Sequence, residues 1–473
     1  MSTAPLPTRA ARRRPRPLIG WVQAGGVLLL LALFCYLAGP GLAGTSDSGL
    51  YLYAARTLRA TGQLLHPDGT PYRYWPPLYP MLLAATGSLA GARVLHGAAL
   101  LGGLLVWSWL GRQLLSARRA LLLPLLLALG TPWLLVSKFV WAECVFLLLV
   151  GLYVAALLQW LRSARGEWAA LATAFGALLP LHRTLGLFWL AGGGVALVIG
   201  TWRHLAARGR WLLLLHLGLS SLGGVLWQLH ALGAGPSRYH PSRGLAQLRS
   251  SLADYGFVIG HWLLPLPVAA RALLPEALWI SVLLALFGLL WPQRRPWRQV
   301  GALAPDYTLD SEPAPTAFPA TRGLSFSGSL LREVLWAGSA TLVVLVAALT
   351  VFAQSAAGVH ATERYASVLF APVVLLVLTA WPARAPRWLG QLLLALWLLG
   401  SAGRALHVAH DLRRVPALVP ESVRPRPAPA AGRDRRRVAP RWFVPAAGGA
   451  ASPLFRPAAA GQSAARPGAG AAP

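Results

Sequence analysis

The chain of 473 residues is 56% hydrophobic and only 12% charged, with a mean hydropathy of +0.54, so it carries more apolar side chain than a soluble core can bury. These values exclude a soluble globular domain and predict an all-α, polytopic transmembrane helical bundle. The formal net charge of +29 does not indicate a nucleic-acid partner, because the basic residues lie in short clusters between apolar runs and in the tail, as in loops beside phospholipid headgroups.

The N-terminal part predicts one membrane helix followed by a long loop. The basic segment 1–17 is expected to stay in the cytoplasm, and the apolar run 18–37 has no signal-peptide cleavage site, so it is expected to remain as the first span. Loop 40–77 is then extracytoplasmic. Its segment 50–60 has an apolar and a basic side, which is typical of an interfacial helix, and Pro, Gly and aromatic residues follow at 66–80.

Apolar runs and basic clusters alternate through the rest of the sequence. The stretch 78–110 is too long for one span and short for two, and it predicts a partial helix followed by a full crossing. Further spans are expected at 121–136, 144–161, 168–181, 185–202, 211–232, 276–291, 334–353, 366–381 and 388–399, which makes about eleven in all.

The connecting segments complete the predicted membrane domain, 18–402. Segment 233–254 is expected to be an outer loop, and 255–274, interrupted by Pro265 and Pro267, to lie along the interface. A Pro- and Ser-containing cytoplasmic loop is predicted at 293–331, and the Arg/Pro/Ala-rich tail, 403–473, is expected to be disordered. The odd number of spans places this tail outside, whereas its arginines favour the cytoplasm, so its side stays open.

The acidic residues are few enough to be placed one by one. Of the fourteen, six are predicted at the outer face: Asp47, Asp68, Glu143, Asp254, Glu276 and Glu363. A carboxylate beside lipid is unfavourable unless it is hydrated, paired or used in chemistry. Asp47, which follows the first span directly, is therefore the leading candidate, and the alternative is a helix cap that Ser46 or Ser48 could equally supply.

Several short motifs follow one another in a recognisable order. The first loop reads SDSGLYLYAARTL and then YRYWPPLYPMLLA, and SKFVWAECVFLLLV, LLPLHRTLGL and ERYASVLFAPVVLL follow. Over residues 18–402 this order resembles the GT-C superfamily of glycosyltransferases, and within it the bacterial branch that is similar to protein O-mannosyltransferases and aminoarabinose transferases. The resemblance implies a multispanning enzyme that takes a sugar from a polyprenyl-phosphate donor. The chain departs from branches with two adjacent acids, because Ser46 and Ser48 flank Asp47.

The chemistry of such a transfer fits the charged residues of the outer face. A sugar on a lipid phosphate already has a good leaving group, so the reaction needs a base for the acceptor hydroxyl and positive charge for the phosphate. Asp47 and Glu143 are predicted as the catalytic carboxylates. Lys138, Arg183 and Arg364 are predicted to bind the donor phosphate. The alternatives are an ion pair of Glu143 with Lys138 or Arg183, and arginines that extend to lipid headgroups.

Aromatic residues and histidines complete the predicted site. Those expected to line the substrate pocket are Tyr51, Tyr74, Trp75, His182 and Tyr365. Tyr74 and Trp75 could instead belong to an aromatic belt at the interface. No histidine spacing resembles a metal site, so no metal or other cofactor is predicted, and a divalent-metal requirement is left open.

These predictions together describe an inverting glycosyltransferase of the bacterial cytoplasmic membrane with its site on the extracytoplasmic face. Its expected partners are a polyprenyl-phosphate-sugar donor, an acceptor hydroxyl on a lipid, glycan or protein, and the surrounding membrane lipids. Three alternatives remain: a ligase or polymerase of lipid-diphosphate glycans, a transporter or flippase, and a noncatalytic scaffold anchored by the tail. Transport would favour broken, polar helices at the midplane and an internal repeat, and the sequence has no such repeat.

Overall fold

The computed structural model describes residues 16–73, 75–232, 245–264, 266, 269–291, 328–352, 359–381 and 387–418. Its α-helices are α1 (Arg16–Ala38), α2 (Ser46–Thr61), α3 (Leu78–Thr86), α4 (Leu89–Leu114), α5 (Ala117–Ala120), α6 (Leu122–Ala128), α7 (Thr131–Lys138), α8 (Glu143–Ser163), α9 (Gly166–His182), α10 (Leu185–Thr201), α11 (Ala207–Leu232), α12 (Leu245–Leu263), α13 (Ala270–Leu273), α14 (Glu276–Leu289), α15 (Gly328–Phe352), α16 (Val359–Ala366), α17 (Phe370–Ala380) and α18 (Arg387–Arg414). In these residues the only β-type pairings are two isolated bridges, which confirms the predicted all-α class.

Eight segments of the described residues are long and apolar enough to cross a membrane. They are Gly20–Ala38, Leu89–Leu114, Ala117–Lys138, Glu143–Ser163, Ala207–Leu232, Leu330–Leu349, Thr362–Ala380 and Trp388–Arg414. Helices α10 and α14 are also apolar but shorter. The chain is therefore a multi-pass membrane protein, and the total of about eleven spans stays a prediction.

The stretch 78–110 folds as expected, into a partial helix and a full crossing. Helix α3 ends at Gly87, whose φ of +73° lies in the left-handed region that glycine adopts without strain. Helix α4 then starts with Ser88 as its cap, because the Ser88 hydroxyl oxygen accepts a hydrogen bond from the N–H of Gly91 at 3.0 Å. One short helix and one spanning helix are the result.

The span predicted at 121–136 is divided into α6 and α7, and the short helix α5 precedes them. Pro132 stands at the start of α7, where its missing N–H is tolerated, and it cannot donate to a helix that continues from α6. Gly130 fills the break. A Cβ at Gly130 would lie 2.3 Å from a ring carbon of Phe370, so the break lets this ring pack closely against the backbone.

The prediction of a loop over residues 233–254 is wrong for the second half of this segment, which is helical. Helix α12 begins at Leu245, and residues 233–244 lie outside the described part of the chain. Segment 255–263 continues this helix, with Tyr255, Phe257 and Trp262 buried against the protein, and its location along the interface stays a prediction. The helix stops at Leu263, two residues before Pro265, as expected from the missing N–H of proline.

The structure also moves the start of the tail. Helix α18 continues through Arg414, although its span was predicted to end at 399 and the tail to start at 403. Ala405, Ala409 and Leu412 are buried at helical spacing, which indicates that packing extends the helix. Residues 1–15, 292–327 and 419–473, which hold most of the predicted N-terminal segment, cytoplasmic loop and tail, lie outside the described residues.

The C-terminal end of α18 lies beside the C-terminal end of α1. Arg413 Nη1 donates to the carbonyl oxygen of Tyr36 at 3.0 Å, and its guanidinium carbon lies 4.6 Å from the centroid of the Tyr36 ring. The Tyr36 hydroxyl also lies 3.3 Å from His410 Nδ1. The chain therefore leaves α18 at the same end of the bundle at which the first loop begins.

Candidate active site

Four charged side chains singled out in the sequence meet at this end of the bundle. Arg364 lies between two carboxylates: its Nη1 donates to Asp47 Oδ2 at 2.6 Å, and its Nε donates to Glu143 Oε1. Arg183 Nη1 forms an ion pair with the same oxygen of Glu143. We call Asp47, Glu143, Arg183 and Arg364 the central cluster. Their chemical roles stay predictions, but the structure brings together residues up to 317 positions apart in the sequence.

The central cluster is almost entirely removed from solvent. The side chain of Glu143 is 0% exposed and those of Arg183 and Arg364 are 8% and 9% exposed, whereas that of Asp47 is 20% exposed. Two acids balance two arginines, because charges buried without partners would lose much of their hydration energy. Asp47 is thus the more exposed of the two carboxylates, and Glu143 is the fully buried one that contacts both arginines.

The backbone that leads into α2 is held by two other segments. The N–H of Ala43 donates to the carbonyl oxygen of Lys138 at 2.8 Å, and the N–H of Val140 donates to that of Ala43 at 3.0 Å. From the end of the described chain, the N–H of Leu418 donates to the carbonyl oxygen of Leu42 at 2.8 Å. These bonds fix the start of α2, and the acid in its first turn, against the segment that precedes α8.

Trp141 links this start of α2 to the central cluster. Its indole N–H donates to the hydroxyl of Thr45, the N-cap residue of α2, at 2.8 Å. The guanidinium carbon of Arg364 lies 4.2 Å from the centroid of the Trp141 ring, close enough for a cation–π attraction. Trp141 is not among the residues predicted for the site, although it stands two residues before Glu143 in the motif SKFVWAE.

A tight turn between α9 and α10 directs Arg183. The N–H of Arg183 donates to the carbonyl oxygen of Leu179 at 2.9 Å, and its own carbonyl oxygen accepts from the N–H of Gly186 at 2.8 Å. A Cβ at Gly186 would lie 2.4 Å from the carbonyl carbon of Leu179, so glycine is needed for α10 to start this close to α9. The motif HRTLG therefore determines where the guanidinium points.

Lys138, predicted to bind the donor phosphate, contacts backbone carbonyl oxygens in the structure, and its predicted role stays a prediction. It is the only lysine of the sequence and is completely buried. Its Nζ donates to the carbonyl oxygens of Leu37 at 3.1 Å and Gly41 at 2.9 Å, so it binds groups that the end of α1 leaves without a helical donor. Lys138 thus stabilises the end of α1 and is not directed at the carboxylates of the central cluster.

Aromatic rings pack beside the cluster as one layer. The Tyr51 ring lies 5.4 Å from that of Trp75 and 5.0 Å from that of Tyr79, centroid to centroid. Since His96 Nδ1–H can donate to the carbonyl oxygen of Ser137 at 3.3 Å, its Nε2 can accept from the Tyr79 hydroxyl at 2.9 Å. Burial raises the pKa of the Tyr51 hydroxyl, although the positive charges of the cluster arginines act in the opposite direction. Tyr51 therefore remains a neutral hydroxyl at physiological pH.

The other residues predicted to line the substrate pocket differ in their distance from the central cluster. His182 is buried, and its Nε2 donates to the carbonyl oxygen of Ala142 at 2.8 Å, so it stabilises the start of α8. The Tyr365 ring is partly exposed and lies 5.6 Å from the guanidinium carbons of both Arg183 and Arg364. Tyr74 lies outside the described residues. Tyr365 is thus the predicted pocket side chain in direct contact with the cluster arginines.

The chemical capacity of the site follows from this arrangement. A reachable carboxylate can accept a proton, and two arginines beside it can bind and neutralise an anion such as a phosphate. The described residues contain no group of three or more His, Cys, Asp or Glu side chains placed to hold a metal ion. The site as described combines a base with anion-binding groups.

The fold and the site together define a multi-pass helical membrane protein that has a buried cluster of two acids and two arginines at one end of its helical bundle. No protein-family model matches the sequence, and no curated protein matches it. Among solved structures the chain is similar to ArnT from Cupriavidus metallidurans. The crystal structure of ArnT bound to undecaprenyl phosphate matches with a TM-score of 0.47 and 16% identity, over 79% of this chain and 62% of that one. The apo structure matches with a TM-score of 0.49 and 16% identity, over 79% and 61%. The chain thus spans about three fifths of the length of these structures.

Proposed function

We propose that this protein is an inverting membrane glycosyltransferase that moves a sugar from a polyprenyl-phosphate donor to an acceptor hydroxyl on the extracytoplasmic face. The observation that carries the proposal is the contact of Arg364 with both Asp47 and Glu143, with Arg183 beside them. Four separate chain segments converge to make it. A cluster that only anchored the chain at lipid headgroups would not need carboxylates buried against its arginines.

Each side chain has a role in the proposed transfer. Asp47 accepts the proton of the acceptor hydroxyl, whose oxygen attacks the anomeric carbon of the sugar. The bond between that carbon and the phosphate oxygen breaks, and the polyprenyl phosphate leaves with the electron pair and one additional negative charge. Arg183 and Arg364 stabilise this charge, because one guanidinium group can donate two parallel hydrogen bonds to the oxygens of a phosphate. Direct displacement by one base inverts the anomeric carbon.

Glu143 is proposed as a positioning residue. Its carboxylate is buried beneath both arginines and contacts them directly, so it holds them in place and does not face the acceptor. Such support from buried neighbours keeps charged groups in the geometry that the reaction needs. Asp47 keeps the catalytic role because it is the more exposed of the two carboxylates.

The test is sugar transfer by the purified full-length protein from a radiolabelled polyprenyl-phosphate sugar. Asp47→Asn is expected to lower the transfer rate by about 10²–10⁴-fold, the usual contribution of a general base. Asp68→Asn is the matched control from the same loop, because Asp68 lies outside the central cluster, where it accepts from the N–H of Thr70 at 3.0 Å and its hydroxyl at 2.6 Å and lies 3.6 Å from His66 Nδ1.

The outcomes separate the alternatives. Equal rates for wild type and Asp47→Asn would remove Asp47 as the base. Transfer that requires a polyprenyl-diphosphate donor would favour the glycan ligase or polymerase. Movement of the labelled lipid across vesicles without a covalent product would indicate a transporter, and the proposal would be wrong.

A further inference from the structure

A cavity of about 290 Å³ lies between α2, α3 and the start of α4. Its apolar lining comes from Leu52, Ala55, Leu83 and Leu89, and its charged lining from Arg56 and Arg59. Four of the lining residues belong to α2, and their spacing places them on one side of that helix. They are Leu52, Ala55, Arg56 and Arg59. Neither Tyr51 nor any member of the central cluster is among the described residues that line the cavity. The cavity is therefore separate from the candidate active site.

The charges of the cavity favour an anion. Two arginines contribute to it, and none of the described residues that line it is acidic. Arg59 Nη1 donates to the carbonyl oxygen of Gly87 at 2.6 Å, which holds its guanidinium against the start of α4. A guanidinium has five N–H donors, so this bond leaves further donors of Arg59 for a ligand. Phosphate is the anion that such paired arginines bind best.

The location and the apolar wall identify the kind of ligand. Helix α2 begins eight residues after the end of α1, a candidate membrane span, and so lies at the membrane surface. A free phosphate would bind the arginines and leave the partly exposed Leu52 and Leu89 in water, whereas a lipid chain would cover them. The volume is at the lower end of the range for ligand sites, so it suits the phosphate and the first part of one chain.

We propose that this cavity, which we call the α2–α3 groove, binds an anionic membrane phospholipid. The phosphate lies against Arg56 and Arg59, and the start of an acyl chain lies along the leucines. A lipid bound there fixes the tilt of α2 at the surface, and α2 carries Asp47 in its first turn. Binding does not require sugar transfer, so the inference can fail while the proposed function holds, and the reverse.

The test is lipid binding by the full-length protein in detergent, followed by native mass spectrometry. Phosphatidylglycerol and phosphatidylcholine are titrated separately. Wild type is expected to retain one phosphatidylglycerol tightly and phosphatidylcholine weakly. Arg56→Gln/Arg59→Gln is expected to bind phosphatidylglycerol at least about tenfold more weakly, since the charge-assisted hydrogen bonds of both guanidinium groups to the phosphate are lost. Arg118→Gln/Arg208→Gln, which removes two exposed arginines elsewhere, should bind as wild type does.

A second variant tests the apolar part of the groove. Thr86→Trp places an indole at the lining while both arginines remain, and it is expected to weaken phosphatidylglycerol binding to a similar extent. Gel filtration and the thermal midpoint verify that each variant is folded. Equal retention by wild type and the arginine variant, equal retention of the two lipids, or displacement of the lipid by inorganic phosphate alone would each overturn the proposal.

Discussion

Two groups of ion pairs, each with two acids and two arginines, can be compared in this molecule. The central cluster joins α2, α8, the α9–α10 turn and α16, with partners up to 317 positions apart. The second group, which we call the local cluster, joins Asp254 to Arg271 at 2.6 Å and Glu276 to Arg249 at 2.6 Å, within α12, α13 and the start of α14. Its partners are at most 27 positions apart.

The difference between the clusters lies in the solvent exposure of one pair, Arg249–Glu276, since Asp254 and Arg271 of the local cluster are only 9% and 15% exposed. In the local cluster Arg249 is 70% exposed and Glu276 27% exposed, whereas Glu143 of the central cluster is 0% exposed. Exposed ion pairs contribute little to stability because water and salt screen them, but removal of one partner from a buried pair leaves the other charge uncompensated. A chain that keeps a buried group of charges from four distant segments is expected to use it, while a local pair can serve as an ordinary link between helices.

The largest expected effect is that of Glu143→Gln. The substitution leaves Arg183 and Arg364 buried with one carboxylate between them, and we expect a loss of about 3–5 kcal/mol of stability. Unfolding in dodecyl maltoside, followed by tryptophan fluorescence over a denaturant series, measures it. An exposed ion pair contributes at most about 1 kcal/mol to stability. A smaller loss than this for Glu143→Gln would mean that water reaches Glu143 as it reaches the Arg249–Glu276 pair.

The next effect is that of Lys138→Met, which keeps an unbranched side chain, one atom shorter, and removes the charge. The carbonyl oxygens of Leu37 and Gly41 would lose their donor in a buried place, so we expect destabilisation by about 1–3 kcal/mol. Arg118→Gln, at an exposed arginine, is the control and should leave the unfolding midpoint unchanged. If Lys138→Met instead kept its stability and lost donor binding, that result would support the phosphate-binding role predicted from the sequence.

A smaller effect is expected from removal of the contact between Leu418 and the first loop. A chain that ends at Val415 loses the hydrogen bond to Leu42 and the packing on Gly44, which together contribute about 1 kcal/mol. Hydrogen exchange of the amides at 41–45 should then become faster. A chain that ends at Pro425 is the control. Equal exchange in both truncated chains would show that this contact does not hold the start of α2.

The smallest effect is expected for Glu276→Gln in the local cluster. Its pair with Arg249 is largely exposed, so the loss should be about 0.2–1 kcal/mol and should shrink further at high salt. The same denaturant series measures it beside Glu143→Gln. A loss as large as that of Glu143→Gln would remove the distinction between the two clusters.

The sequence was informative about the central cluster because acids are rare in it. With only fourteen, the charge pattern of the loops could assign Asp47, Glu143, Arg183 and Arg364 to one face, and the structure brings these four side chains together. It could not predict that Asp47 would be the more exposed carboxylate. That property depends on how α16 and the α9–α10 turn pack over Glu143.

Features that depend on tertiary contacts were missed. From the sequence, Trp141 cannot be distinguished from an aromatic residue of the membrane interface. Only the structure shows its contacts with Thr45 and Arg364. The last part of α18 has low hydropathy, and only the burial of Ala405 and Ala409 shows why it stays helical. Periodic apolar runs predict spans, whereas small residues that permit close packing give a weaker signal.

The most direct test of the central cluster is a double-mutant cycle between Glu143 and Arg364. Glu143→Gln, Arg364→Gln and the double variant are unfolded under one set of conditions, and the interaction energy is calculated from the four values. If the two side chains form a buried ion pair, the double variant should lose less stability than the two single variants lose together. The expected difference, the interaction energy, is about 2–3 kcal/mol. Losses that add within about 0.5 kcal/mol would contradict a direct Glu143–Arg364 contact and, with it, the site described above.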